Sequence, residues 1–351
     1  MSYYVNKYVK DLYRVKFHDE RENVLRLDMN ENPMGLPKEV FQRIWNKITP
    51  EYIATYPQKD ALMELLAEHN NVKYENISVT AGSDEAMRLI FQCFGEPGKK
   101  VLTVTPTFEM YDVYSKMFGM EHVTVDYQND YSIRVEDILH LIDEETGLVI
   151  LLNPNSPIGT AYKEDEVEII ISRAAAVNAL VVVDEAYHYF YQPTFLDLIN
   201  RYDNLLVLRT FSKLFSMAGL RIGYVTAHHQ LIEYIEKAES TFNVNNIAIL
   251  FAKEVIQDQK LQEQLISIER EGRLWLTKKL TDAGYDIISL EGNYVLFHPK
   301  HSSKELVEHL KQQNIWVRDY SRGILSGWIR VSTGAKECME PFWNALMSLD
   351  N

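Results

Sequence analysis

Short apolar runs alternate with helical segments through the first two thirds of this chain, and each run ends in turn-forming or polar residues. The run at 180–183, Leu-Val-Val-Val, is apolar throughout, which is typical of a strand covered on both faces. Strands separated by helices form parallel βαβ units. The pattern therefore predicts an α/β fold with a mostly parallel central sheet. Its predicted strands are Ile77–Thr80, Lys100–Val104, Gly147–Leu152, Leu180–Val183 and Leu205–Leu208.

The last part of the chain has a different texture, in which short strands surround one helix, as in an α+β domain. These elements are predicted at Tyr285–Ser289, Tyr294–His298, Ser303–Gln313, Ile315–Arg318 and Trp328–Ser332. A chain of 351 residues is also longer than one core usually supports. We therefore expect an N-terminal arm at 1–29, a large domain at 30–253 and a small domain at 254–351. Two long helices, 230–260 and 261–283, are predicted near the junction.

The predicted arm is rich in aromatic and charged residues and has no strong periodicity. We expect it to pack against another surface, such as a second subunit, rather than to fold as a domain. Its aromatic residues are Tyr3, Tyr4, Tyr8, Tyr13 and Phe17.

Charge and cysteine content limit the partners of this chain. The net charge of −14 disfavours nucleic acid and anionic membranes as partners. Cys93 and Cys338 are too few for a disulfide framework, and no apolar run is long enough to span a membrane, so we expect a cytoplasmic protein. The adjacent His228 and His229 have no third ligand at a useful spacing, so no metal site is expected.

Polar or aromatic residues follow five of the predicted strands at their carboxyl ends. In an open parallel sheet, ligands bind in the crevice outside those ends. We therefore expect the five sets of residues to converge on one site. In chain order they are Gly82-Ser83-Asp84, Phe108, Asn155-Ser156, Asp184 with Tyr187, and Ser212-Lys213.

Lys213 restricts the chemistry of this set most. A lysine at the end of a buried strand is costly unless it has a carboxylate partner, a surface position or a covalent bond to a carbonyl group. The Ser-Lys pair alone also fits an ordinary exposed loop. The whole set fits pyridoxal phosphate, because Lys213 would bond to its aldehyde, Asp184 would keep its ring nitrogen protonated and Tyr187 would contact its ring hydroxyl. Phe108 would stack on the ring. Residues expected to hold the phosphate are Ser83, Asp84, Thr210, Ser212 and Arg221.

Longer motifs extend this interpretation over nearly the whole chain. With them, the chain resembles the fold-type-I aminotransferases of class I and II, and within that group the histidinol-phosphate aminotransferase family. The motifs are NENPMG at 30–35, Tyr56-Pro57, AGSDEA at 81–86, PTFEMY at 106–111, NPNSPIG at 153–159, VVDEAY at 182–187, TFSKLFSMAGLRIGY at 210–224 and RDYSRGILSGWIRVSTG at 318–334.

The resemblance implies roles for individual residues. At the cofactor, Lys213 would be the Schiff-base residue, Asp184 the partner of the pyridinium nitrogen and Tyr187 a contact of the ring hydroxyl. Tyr56 would reach the cofactor phosphate of the other subunit, which implies a homodimer with shared active sites. The residues that would bind substrate are Arg330 at the α-carboxylate, Arg318 at the substrate phosphate and Asn30 in a loop that closes over the substrate.

The chain also departs from the family pattern. Ser156 stands where these enzymes usually have the asparagine that donates to the ring hydroxyl, and Phe108 replaces a commoner tyrosine. A serine hydroxyl is shorter than an amide, so its contact with the ring is expected to be weaker. The tyrosine that binds substrate phosphate in the family cannot be assigned among Tyr4, Tyr8 and Tyr13.

Amino transfer between glutamate and imidazole-acetol phosphate is the leading hypothesis, and three alternatives stay open. The first is a pyridoxal-phosphate decarboxylase acting on phosphothreonine, whose family shares most of these motifs. The second is an aminotransferase for an aromatic or sugar-derived substrate. The third is a non-catalytic ligand sensor of the same fold, against which the retention of Lys213 and Arg330 argues.

Overall fold

The computed structural model describes residues 3–14 and 20–350. Phe17, one of the aromatic residues of the predicted arm, lies outside the described residues. The strands are β1 Leu25–Leu27, β2 Ile77–Thr80, β3 Lys100–Thr105, β4 Glu121–Asp126, β5 Thr146–Leu152, β6 Leu180–Asp184, β7 Leu205–Thr210, β8 Gly223–Ala227, β9 Asp286–Ile288, β10 Tyr294–His298, β11 Ile315–Asp319 and β12 Ile329–Ser332. The helices are α1 Lys7–Lys10, α2 Lys38–Trp45, α3 Pro50–Ala54, α4 Asp60–His69, α5 Ser83–Phe94, α6 Met110–Met117, α7 Val135–Leu141, α8 Glu164–Ala175, α9 His229–Ala238, α10 Asn246–Ile256, α11 Gln259–Asp282, α12 Ser303–Gln312 and α13 Lys336–Asp350.

The larger sheet of the described residues has the strand order β2-β8-β7-β6-β5-β3-β4. Strands β4, β3, β5, β6 and β7 are parallel neighbours, and β8 is antiparallel to both β7 and β2. Every residue of β7 is buried, as expected for a strand with helices on both faces. The prediction of a mostly parallel central sheet is confirmed. Strands β4 and β8 were not predicted.

The smaller sheet has the order β1-β11-β12-β10-β9 and is mostly antiparallel. Its first strand comes from the N-terminal segment, because Leu25–Leu27 pairs in parallel with residues 315–317. The segment predicted as an arm therefore contributes a strand to the C-terminal sheet. Helix α1 packs near the end of α6 in the same chain, where Tyr8 lies against Gly119.

The predicted helix at 230–260 is wrong, because the structure has two helices, α9 and α10, with a break at 239–245. Two asparagine side chains in this break bind backbone groups, which stabilises the interruption of the helix. Asn243 donates to the carbonyl of Val79 at 3.0 Å, and Asn245 accepts from the amide of Ala248 as the N-cap of α10. The break places Phe242 on the surface beside Tyr56.

Helix α11 joins the two parts of the molecule. Leu261 and Leu265 belong to the core that packs against β2, and Leu276 and Leu280 belong to the core beneath the smaller sheet. The predicted boundary at 253–254 falls within α10, which packs in the first of these cores. Among the described residues, no helix has the length and apolar composition needed to cross a membrane.

Candidate active site

Neighbouring strand ends bring the predicted site residues together. Asp184 ends β6 and Thr210 ends β7, and the register places Asp184 level with the end of β5. Gly223 at the start of β8 pairs with both Thr210 and Thr80, because β8 runs antiparallel between β7 and β2. Three residues after Thr210, Lys213 lies in the loop that leaves β7. The edge of the sheet predicted from the sequence therefore carries the candidate site.

Asp184 is a buried carboxylate, only 5% exposed. Its Oδ2 accepts from the hydroxyl of Tyr111 at 3.0 Å, and its Oδ1 accepts from the amide of Ala186 at 3.1 Å. Burial raises the pKa of Asp184 to about 6, although these two hydrogen bonds and the charge of Lys213 oppose the shift. A carboxylate in this state is stabilised by any cation that binds beside it.

Tyr111 is a site residue that the sequence analysis missed. Its phenol is fully buried against Asp184, and burial beside that carboxylate raises the pKa of Tyr111 well above its ordinary value. One signal was present in the sequence, because Tyr111 follows Phe108 by three residues and so shares its side of the chain where α6 begins. The two rings meet edge to face, with centroids 5.6 Å apart.

Lys213 reaches the same space from the other side. Its Nζ donates to the carbonyl of Met29 at 2.9 Å and lies 5.8 Å from the ring centroid of Tyr187. Burial would raise the pKa of Tyr187, but the positive charges of Lys213 and Arg330, together with hydrogen bonds from Ser156 and Asn30, lower that pKa below its ordinary value. The phenol of Tyr187 therefore lies where negative charge on an oxygen is stabilised.

A polar network connects Tyr187 to Arg330. The Nδ2 of Asn30 donates to the Tyr187 hydroxyl at 2.8 Å and lies 3.4 Å from the Ser156 hydroxyl. Arg330 donates through Nη1 to Ser156 at 3.1 Å and through Nη2 to the carbonyl of Asp28 at 2.6 Å. The structure thus brings the predicted Asn30, Ser156, Tyr187 and Arg330 together.

A cradle for an anion lies at the start of α5. Gly82, with φ +85°, is the N-cap of this helix, and Ser83 is its first helical residue. Only glycine adopts this conformation easily, and an added Cβ at Gly82 would lie 2.8 Å from Nη2 of Arg221. The free amides of α5 and the guanidinium therefore face one another across a space that a side chain would fill.

Other predicted phosphate contacts lie near this cradle or support it. The hydroxyl of Thr210 donates to that of Ser212 at 2.9 Å, on the strand that pairs with Gly223. A Cβ at Gly223 would lie 2.7 Å from the amide nitrogen of Ser83, so these segments are in close contact. The carboxylate of Asp84 accepts from Tyr114 at 2.8 Å, which leaves the backbone amide of Asp84 as its contribution to the cradle.

Two predicted residues lie further out. Tyr56 is 73% exposed and stacks on Phe242 with ring centroids 4.3 Å apart, in a surface pocket that Arg221 also lines. Arg318 lies opposite Arg330 in the smaller sheet and pairs with Glu109 at 2.8 Å. Among residues 3–14 and 20–350, no group of His, Cys, Asp or Glu side chains is arranged as a metal site.

The site fits pyridoxal phosphate. Asp184 offers a buried carboxylate to a basic ring nitrogen, the cradle at Gly82 and Arg221 offers amides and a guanidinium to a phosphate, and Lys213 offers an amine to an aldehyde. Together with the seven-stranded sheet of the described residues, these features define a fold-type-I enzyme of the class that depends on pyridoxal phosphate.

Comparison with known proteins identifies the family. The family described as aminotransferase class I and II matches residues 22–346, and the chain belongs to this family. A histidinol-phosphate aminotransferase of Thermoanaerobacter sp. strain X514 is 34% identical over 328 residues, which cover 92% of each chain. One from Caldanaerobacter subterraneus subsp. tengcongensis is 34% identical over 339 residues, which cover 94% of this chain and 95% of that protein. The resemblance noted in the sequence is confirmed, and the protein is an aminotransferase.

Solved structures confirm the fold. The histidinol-phosphate aminotransferase of Clostridium acetobutylicum superposes with a TM-score of 0.84 at 23% identity, covering 93% of this chain and 99% of that one. The Sinorhizobium meliloti enzyme, solved in complex with pyridoxal 5'-phosphate, gives a TM-score of 0.83 at 24% identity, covering 92% and 91%.

Proposed function

We propose that this aminotransferase exchanges an amino group between glutamate and imidazole-acetol phosphate, giving histidinol phosphate. The curated relatives that carry this activity in their names support the proposal over most of the chain. The observation that carries it within this structure is the pair Arg318 and Arg330, which lie directly opposite each other on β11 and β12. Like charges in this position are destabilising, so the pair is best explained by anionic substrates that both arginines bind.

Arg330 is suited to a carboxylate. Its guanidinium is held by Ser156 and by the carbonyl of Asp28, and its Nε is buried without a hydrogen-bond partner among the described residues. Both of these partners, a hydroxyl and a backbone carbonyl, are uncharged. An incoming α-carboxylate would satisfy these donors in a bidentate contact. Arg318 at the outer edge, now paired with the exposed Glu109, would bind the substrate phosphate.

Pyridoxal phosphate, when bound, supplies an aldehyde for a lysine and a ring that draws electrons from the α-carbon of the substrate. In this site Lys213 would be the attached residue, and its amine would afterwards move the proton at the α-carbon. Asp184 would hold a proton on the ring nitrogen, and Tyr187 would contact the ring hydroxyl. Phe108 would cover the ring, and the cradle of Ser83, Asp84, Thr210, Ser212 and Arg221 would hold the phosphate.

The proposal includes a homodimer in which Tyr56 completes the phosphate site of the partner subunit. Its support is the position of Tyr56, which is exposed on the rim of a pocket that Arg221 lines. A large exposed aromatic pair such as Tyr56 and Phe242 is typical of a protein interface. We also propose that the enzyme acts in the cytoplasm, which suits its acidic composition and its two free cysteines.

The experiment adds amino donors one at a time to the purified, cofactor-loaded protein and records the visible spectrum. We expect a change with glutamate and with histidinol phosphate, a much weaker response to histidinol, which lacks the phosphate, and no turnover by Lys213→Ala. A loaded protein that responds to neither donor would discard the proposed substrates. Carbon dioxide release from phosphothreonine without a keto acceptor would favour the decarboxylase.

A further inference from the structure

Asn30 occupies an unusually constrained position for a loop residue. It is 1% exposed and has φ +56°, and its backbone amide donates to the Ser332 hydroxyl at 2.8 Å. Its carbonyl accepts from Nδ2 of Asn293 at 3.1 Å, and its side-chain Oδ1 accepts from Ser332 at 3.1 Å. Because Oδ1 is held by Ser332, the amide nitrogen of Asn30 must face the opposite way, towards Tyr187.

The two N–H groups of this amide are used unequally. One donates to the Tyr187 hydroxyl at 2.8 Å, which leaves the phenolic proton free for another acceptor. The other points towards the Ser156 hydroxyl at 3.4 Å, a distance at the outer limit of a hydrogen bond. Asn30 therefore presents a donor beside the Tyr187 hydroxyl that a better placed acceptor would take.

Ser156 has a different set of contacts. Its hydroxyl accepts from Nη1 of Arg330 at 3.1 Å and is 6% exposed. It also lies 3.4 Å from Nδ2 of Asn30, so a donor at either position would be close to the Tyr187 hydroxyl.

We propose that Asn30, and not Ser156, supplies the amide that donates to the ring oxygen of the cofactor beside Tyr187, while Ser156 positions Arg330. This inference rests on the proposed function, because it concerns the same cofactor site. The sequence analysis expected a weak contact from Ser156 to the ring. In this proposal the amide that the chain lacks at position 156 is provided by Asn30, in the segment that follows β1.

The test measures the pH at which the visible absorbance of the loaded protein changes in the absence of substrate. A donor to the ring oxygen stabilises negative charge there and lowers this pH. Asn30→Gly removes the amide without backbone strain, since glycine accepts the positive φ, and Asn30→Asp keeps the side-chain size without the donor. Both should raise the midpoint by about one pH unit, the usual worth of a hydrogen bond to a charged group.

Matched variants separate this role from a structural one. Asn293→Ala loses an amide of the same size that binds the other side of Asn30, and it should leave the midpoint nearly unchanged. Ser156→Ala should raise KM for glutamate with little change in the midpoint, because it releases Arg330. Asn30→Gly combined with Ser156→Asn should restore the midpoint, because a carboxamide at position 156 would again place a donor close to Tyr187.

An unchanged midpoint in Asn30→Gly and Asn30→Asp would overturn the inference, as would a shift of equal size in Ser156→Ala. In both cases the visible band of the wild-type protein would still report bound cofactor, so the proposed function would stand. A purified wild-type protein that develops no visible band with pyridoxal phosphate would instead remove the proposed function.

Discussion

The hydroxyl of Tyr111 is a hydrogen-bond partner of Asp184, the buried carboxylate whose pKa is raised. It donates to Asp184 at 3.0 Å inside the core, where a lost hydrogen bond to a charged group costs about 1.5–3 kcal/mol. We therefore expect Tyr111→Phe to weaken cofactor binding by roughly tenfold or more. The measurement is the dissociation constant of pyridoxal phosphate for the two proteins, obtained by fluorescence titration.

Tyr162 provides the matched control for that change. It is also buried, but its hydroxyl has no hydrogen-bond partner among the described residues. Tyr162→Phe should leave cofactor affinity unchanged. It should not destabilise the protein either, because the hydroxyl that it removes is buried and makes no hydrogen bond within the described part of the chain. Equal effects of the two substitutions would show that the Asp184 contact of Tyr111 is unimportant.

Asp184 should make the stability of the cofactor-free protein depend on pH. Its pKa is raised by burial from 3.8 to about 6, so the contribution of Asp184 to stability is fully present below pH 3.8 and is lost as pH rises through about 6. The neutral variant Asp184→Asn does not suffer this loss. Relative to wild type, its free energy of unfolding should rise by roughly 2 kcal/mol between about pH 4.5 and about pH 8.

Denaturant unfolding of the cofactor-free proteins at the two pH values measures this difference. Asp203, which is exposed, gives a control, and Asp203→Asn should show no comparable trend. With pyridoxal phosphate bound, the order should reverse at pH 8, because the carboxylate then has a cationic partner. If the difference in free energy of unfolding between wild type and Asp184→Asn did not change with pH, a raised pKa of Asp184 would be contradicted.

The sequence predicted those site residues whose position follows from the end of a strand. Asp184 and Lys213 are of this kind, because a buried strand determines where the next side chain emerges. It did not predict contacts made between distant segments. Tyr111 meets Asp184 across 73 residues, and Asn30 meets Tyr187 across 157, so both contacts depend on how helices and sheets pack.

At the level of elements, the turn from β2 into α5 carries a testable consequence. Gly82 and Gly98 both have positive φ, +85° and +94°, so alanine at either position costs about 1 kcal/mol in backbone strain. An added Cβ at Gly82 meets Arg221 at 2.8 Å, whereas the space at Gly98 is open. Of the two variants, only Gly82→Ala should weaken cofactor binding, by roughly tenfold or more, because it displaces the Arg221 guanidinium.

Thermal unfolding of the cofactor-free variants and titration with pyridoxal phosphate separate the two effects. We expect similar losses of Tm in Gly82→Ala and Gly98→Ala, and a loss of affinity only in the first. If both variants bound the cofactor as wild type does, the cradle at the start of α5 would not be the phosphate site.

Prediction of elements failed where long-range contacts or polar caps decided the structure. Strand β1 has only three residues, and it forms because residues 315–317 lie beside it. The helix predicted at 230–260 is interrupted because Asn243 and Asn245 bind backbone groups, which apolar periodicity does not reveal. The buried parallel strands were predicted well because their apolar runs are continuous.

At the scale of the whole molecule, the N-terminal segment ties the two sheets together at the active site. Strand β1 belongs to the smaller sheet, and the residues that follow it accept from Arg330 at Asp28 and from Lys213 at Met29. Asn30 then donates to Tyr187 of the larger sheet. The side chains proposed to bind substrate and cofactor, Arg330, Lys213 and Tyr187, are therefore all held by one short segment.

In the proposed dimer, each active site would draw Tyr56 from one subunit and Lys213 from the other. Tyr56→Ala and Lys213→Ala homodimers should both be impaired, since every site in them carries a defect. After unfolding and refolding together in equal amounts, half of the dimers would be mixed, and each would contain one site with both native residues. Activity should then recover to about a quarter of the wild-type value, as expected for random pairing of two chains. If Tyr56 served the site of its own chain, the mixed dimers would contain no fully native site, and activity would stay at the mean of the two homodimers.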